Sequence, residues 1–180
     1  MGADSAAAAT AADALQTDIF TPAPMDLCTH DNGGFLSGRL HGALDRQVDW
    51  RGSDMDCGGM LRPNDDGIRL VFAAPRTGER LLIVLGIAGR LDELDSGERA
   101  TNITIVDESG KRFYSTGGRH MCWSVIETVQ PIAGPDARIM QVDGEVYCSA
   151  SLPSLSDNGS VALRDMRYSG RVLLNASGPG

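Results

Sequence analysis

GIRLVFAAPRTGERLLIVLGIAG, residues 67–89, decides the fold class. Ile68, Leu70 and Phe72 recur at every second position, which puts them on one face of an extended strand. From Leu81 to Ile87 both parities are apolar, the pattern of a central strand covered on each side. The same short period continues outward. In CWSVIETV at 122–129, Trp123, Val125 and Val129 form the apolar set with Glu127 interrupting it. NITIV at 102–106 has the β-branched richness of another strand.

Turn chemistry separates these runs. DNGG at 31–34, PNDDG at 63–67, DESG at 107–110, VDGE at 142–145 and SDNG at 156–159 concentrate the residues that tolerate positive φ. In IMQVDGEVYC at 139–148, Asp143-Gly144 predicts a two-residue hairpin turn, setting Val142 opposite Glu145 and Met140 opposite Tyr147. Only LDELDSGER at 91–99 has helical spacing, through Leu91, Leu94 and Asp95, so one short helix is expected near 91–96, ended by Gly97. The expectation is an all-β chain of about nine or ten strands, an antiparallel β-sandwich or jelly roll. Ser37-Gly38-Arg39-Leu40 and Ser169-Gly170-Arg171-Val172 echo one another, a match that chance explains better; only a meaningful echo would make the first and last strands neighbours in one sheet.

The chain of 180 residues, 42% hydrophobic and 22% charged, suits one globular domain. Residues 2–14 lack large side chains to pack, so residues 1–24 read as a flexible tether and 25–176 as a single disulfide-bridged domain. MGADSAAAATAADAL has no basic start, so a mature form without an export signal is expected. No apolar run reaches the roughly 18–20 residues of a membrane span, and no membrane insertion is expected. A net charge of −8 disfavours nucleic acid as a partner. Lys111 is the single lysine among 16 cationic residues, a skew that suggests a GC-rich bacterial gene. The sequons at Asn102, Asn158 and Asn175 matter only in a eukaryotic secretory host, which that skew opposes.

Four cysteines admit two readings. Cys28 and His30, with His120 and Cys122, are the ligand types of a tetrahedral zinc site, and residues two apart share a strand face. That reading leaves Cys57 and Cys148 without a role, and one intervening residue is not a zinc-knuckle spacing. Two disulfides use all four, with Cys28–Cys57 and Cys122–Cys148 favoured because each joins neighbouring segments. Such bridges imply an extracytoplasmic site, periplasmic or secreted.

There is no G-x-S-x-G elbow and no phosphate loop. No cofactor is implied beyond calcium, for which Asp54 and Asp56 in DWRGSDMD and Asp65 and Asp66 in PNDDG are the candidates. Trp50, set among charged residues in QVDWRG, is the candidate platform for stacking on a sugar ring, whereas Trp123 beside Cys122 is expected to cover a bridge from within the core. These features favour a non-catalytic module that recognises a surface protein or glycan. The alternatives are a secreted hydrolase whose site assembles only in three dimensions, and a metal module built on the Cys/His arms or the Asp-rich loops.

Overall fold

The computed structural model describes residues 24–29, 31, 33–63, 66–94, 97–132 and 138–174. The tether expected over 1–24 lies outside the described residues save for Pro24. Eleven strands follow in chain order: β1 Phe35–Gly42, β2 Arg46–Arg51, β3 Asp56–Leu61, β4 Gly67–Ala74, β5 Leu81–Ala88, β6 Gly97–Asp107, β7 Arg112–Ser115, β8 Cys122–Pro131, β9 Ile139–Cys148, β10 Leu152–Pro153 and β11 Ser160–Leu173. No α-helix occurs among the described residues.

The chain is all-β, as the periodicity predicts, but its layers differ from the expected sandwich or jelly roll. Hydrogen bonding runs β11-β3-β4-β5-β6-β8-β9 and returns to β11, a closed seven-stranded barrel. The length of β11 is the physical reason. Over 14 residues it pairs with β9 along Met166–Leu173 on one edge, while on the other it serves β1 and then meets β3 where Leu173 faces Met60. Closure pairs β9 with β11, two strands whose facing edges a two-sheet arrangement would leave open. β1 and β2 extend the sheet from β11, so the first and last strands are neighbours, Phe35 opposite Ser169.

Alternation fills the interior. Ile68, Leu70 and Phe72 on β4, then Leu81, Ile83, Leu85 and Ile87 on β5, are buried, joined by Ile103 and Ile105 of β6. Each such side chain contributes about 1.5–3 kcal/mol on burial. The other face of β5, Leu82, Val84, Gly86 and Ala88, is half-buried, so the apolar run is covered fully on one side only. On β8 the inward set is Cys122, Ser124 and Ile126, the parity opposite to the one expected for Trp123 and Val125. Glu127 is the extra residue of a bulge: Ile126 faces Gly144 while Thr128 faces Asp143. Arg167 on β11 holds its carboxylate at 3.1 and 3.2 Å.

Two local expectations fail. Asp143-Gly144 makes no turn, because both lie inside the continuous strand β9, paired to β8 and β11 at once. The expected helix shrinks to one 3-10 turn at Leu91–Glu93, and Gly97 opens β6 rather than ending a helix. Leu94 is buried there, and the Arg99 guanidinium bonds the Glu93 carbonyl, so tertiary contacts capture the segment after a single turn.

The segment before β1 clasps the barrel. Arg171 on β11, nearly buried, donates to both Asp31 carboxylate oxygens at 2.7 Å and to the Leu27 carbonyl at 2.8 Å.

Candidate functional site

The Cys122–Cys148 bridge places the aromatics beside it. Cys28 bonds Cys57 and Cys122 bonds Cys148, the favoured pairing. The CTH and HMC arms thus give their cysteines to separate bridges, and neither sulfur remains as a thiolate for zinc. His30 lies outside the described residues, and His120 is exposed.

The calcium candidates also disperse. Asp56 is an ion-pair partner of Arg76 at 3.2 Å and Arg80 at 2.9 Å, and two guanidiniums on one carboxylate oppose a bound cation. Asp54 and Asp66 are exposed, and Asp65 lies outside the described residues. Among the described residues no three His, Cys, Asp or Glu side chains gather to hold a metal ion.

Trp50 on β2 is half-buried against the core, opposite Leu36, rather than standing open as a platform. The open aromatic surface is elsewhere. Cys122 faces Cys148 directly across β8 and β9, and antiparallel register then sets Trp123 opposite Tyr147. Cys122 points inward, so its neighbour Trp123 points outward, correcting the expectation that Trp123 covers the bridge from inside. The two rings stack with centroids 5.7 Å apart and planes 27° from parallel. Tyr147 is 44% exposed, and its hydroxyl donates to the Glu98 carboxylate on β6, which raises the phenol pKa. Sequence reasoning missed this pair, although its signal was present: each aromatic adjoins one cysteine of the same bridge.

The face continues across the sheet without a break. Trp123 is opposite Ala100 on β6, and Asn102, two residues along, is opposite Gly86 on β5. A pocket of about 170 Å³ lies there, its floor formed by Gly86, Ala88, Ala100 and Asn102 and its rim by Arg62, Arg119 and His120. It is small beside the ~300–1,000 Å³ of pockets that enclose drug-sized ligands, so it takes a group rather than a whole molecule.

Among the described residues, the carboxylates whose acidity the fold alters are shifted downward. The Arg171 hydrogen bond lowers Asp31, and the Arg90 hydrogen bond lowers Asp92. At Asp107, burial is the largest influence and pushes upward, but the Gly110 N–H and the Arg112 guanidinium together outweigh it. The Gly159 N–H and the Ser154 hydroxyl lower Asp157.

No protein-family model matches the chain, and neither curated proteins nor solved structures give a match. The site's own chemistry carries the functional reading.

Proposed function

We propose that this chain is a non-catalytic, extracytoplasmic binding module that recognises a glycan on the outer face of β6, β8 and β9. The observation that carries the reading is the outward-facing Trp123–Tyr147 stack, in which Trp123 is half-buried and Tyr147 exposed, with the Glu98 carboxylate beside it. Sugar rings present C–H faces that pack on aromatic rings, and their hydroxyls donate to a carboxylate held at the rim. The stack sits on rigid strands locked by the Cys122–Cys148 bridge, so little ordering entropy opposes binding. Two disulfides and no free thiol among the described cysteines suit an oxidising compartment.

Hydrolysis is the competing class. A glycosidase needs one carboxyl group with a raised pKa to protonate the leaving oxygen. Asp31, Asp92, Asp107 and Asp157 all move the other way, so none of these four is suited to be that acid.

A glycan array followed by fluorescence titration tests the reading. Trp123→Ala and Tyr147→Ala should each weaken the best glycan about tenfold or more, as loss of a central aromatic anchor does. Trp50→Phe should bind as the parent does. Retained affinity in both aromatic variants overturns the site, and release of shortened glycan overturns the non-catalytic assignment.

A further inference from the structure

We infer that the pocket beside Trp123 is an oxyanion receptor, so that the ligand carries a carboxylate or sulfate group. The inference deepens the glycan reading and rests on it for the ligand's class. Its own ground is the distribution of cations. Most arginines in this acidic chain are bonded to a carboxylate or a carbonyl, as Arg39, Arg46, Arg80, Arg112, Arg167 and Arg171 illustrate. Arg62, Arg69, Arg119 and Arg164 have no side-chain partner among the described residues. Three of those four converge on one place: Arg62 and Arg119 line the pocket, and Arg69 on β4 is opposite Gly86 of its floor.

The pocket is built to admit them. Arg62 follows β3, and its backbone N–H donates to the Gly67 carbonyl at 2.8 Å. Its stem passes over Gly67, where a methyl group would stand 3.2 Å from Arg62 Cδ, towards Ala88 opposite on β5. The backbone N–H of Arg119 is tied to the Thr116 carbonyl at 3.0 Å, which fixes the turn that presents Arg119 and His120. Thr116 Oγ1 accepts from the Ile103 N–H at 3.2 Å and so donates its own proton to Asn102 Oδ1, also at 3.2 Å. That leaves the Asn102 amide N–H groups as donors at the floor.

Two guanidiniums, an imidazole and a carboxamide therefore surround a small space with no described carboxylate in its lining. Guanidinium forks match the paired oxygens of carboxylate, sulfate and phosphate groups. In a chain of net charge −8, such a pocket has a sign opposite to that of its surroundings, so it selects an anion that the rest of the surface repels. Ala100 joins the pocket to Trp123 across one strand pair, so a ring stacked on Trp123 places its acidic substituent over Asn102.

The full chain is titrated with a uronate oligosaccharide, a sulfated oligosaccharide and a neutral one of equal length. One acidic series should bind about tenfold or more tightly than the neutral one, by the strength of hydrogen bonds to charged groups, and the preference should shrink with added salt. Its identity distinguishes carboxylate from sulfate. Arg62→Ala and Arg119→Ala should erase the preference while leaving neutral binding, and neither guanidinium is bonded to another described residue. Gly86→Ala should do the same by narrowing the floor, since the added methyl would meet Asn102 at an ordinary 3.7 Å. Equal binding of acidic and neutral glycans, or a preference that survives both arginine substitutions, overturns the inference. Acetate and sulfate alone, monitored at the His120 ring and Asn102 side-chain amide resonances, separate it from the glycan reading. Shifts abolished by Arg62→Ala, with no glycan bound, keep the receptor and overturn the glycan; no shift with any oxyanion overturns the receptor.

Discussion

Tyr168 reaches across Gly144 to Ser124. The two are register partners on β11 and β9, and the Tyr168 hydroxyl donates to Ser124 Oγ on β8 at 3.1 Å. A methyl group at Gly144 would stand 2.8 Å from the Tyr168 hydroxyl and 2.5 Å from the Val125 carbonyl oxygen. Gly144 is thus the floor of a trough for a buried tyrosine, which explains an Asp-Gly pair inside an uninterrupted strand. Gly144→Ala should destabilise by about 1–3 kcal/mol, the usual cost of overpacking a close-fitted core. Urea unfolding checks it, and an unchanged midpoint would place Tyr168 elsewhere.

All three tyrosines should ionise above the ordinary phenol range. Burial raises Tyr114, the Glu98 hydrogen bond raises Tyr147, and burial pushes Tyr168 up to about 12. Tyr168 is neutral when protonated and its folded pKa lies above its unfolded one. Its contribution is therefore complete below about pH 10 and is lost as pH rises through about 12. Ultraviolet titration of the native protein should show the Tyr168 phenolate step only near pH 12, a step that Tyr168→Phe removes. Tyr168→Phe should flatten the alkaline fall in stability, and a normal step in the folded protein would contradict the burial.

Removing a bridge should cost stability that rises with the logarithm of the length of the loop it closes. Sequence separations of 29 and 26 correspond to about 3.5 kcal/mol each by loop entropy. The double substitution Cys122→Ala with Cys148→Ala should lower the melting temperature by roughly 7–14 °C for a domain of this size. Calorimetry measures it, and intact mass with and without reduction confirms the bridges. It should also weaken ligand binding, because the same bridge aligns Trp123 with Tyr147.

What could be read from the chain was what depends on near neighbours. Alternation of Ile68, Leu70 and Phe72 predicts a strand, because adjacent side chains must point to opposite faces. Cysteine number and proximity along the chain predict both bridges, because closing a short loop costs little entropy. Those predictions stop where a face must be chosen. Trp123 and Cys122 alternate in either arrangement, and burial of Cys122 against the barrel core decides that the tryptophan faces out. The bulge at Glu127 then shifts the register, which no local pattern in CWSVIETV announces.

The sequence by itself determined strand class, an even cysteine count that favours bridges, and an acidic charge, all set by residue type and spacing of a few positions. Tertiary structure alone decided that β11 closes the strands into a barrel, that Gly144 lies beneath Tyr168 instead of turning the chain, and that Arg62, Asn102 and Arg119 meet beside Trp123. These residues are far apart along the chain. Which of them become neighbours depends on how strands pair across the whole sheet, a choice made by the total burial that closure achieves and not by any segment's own preference.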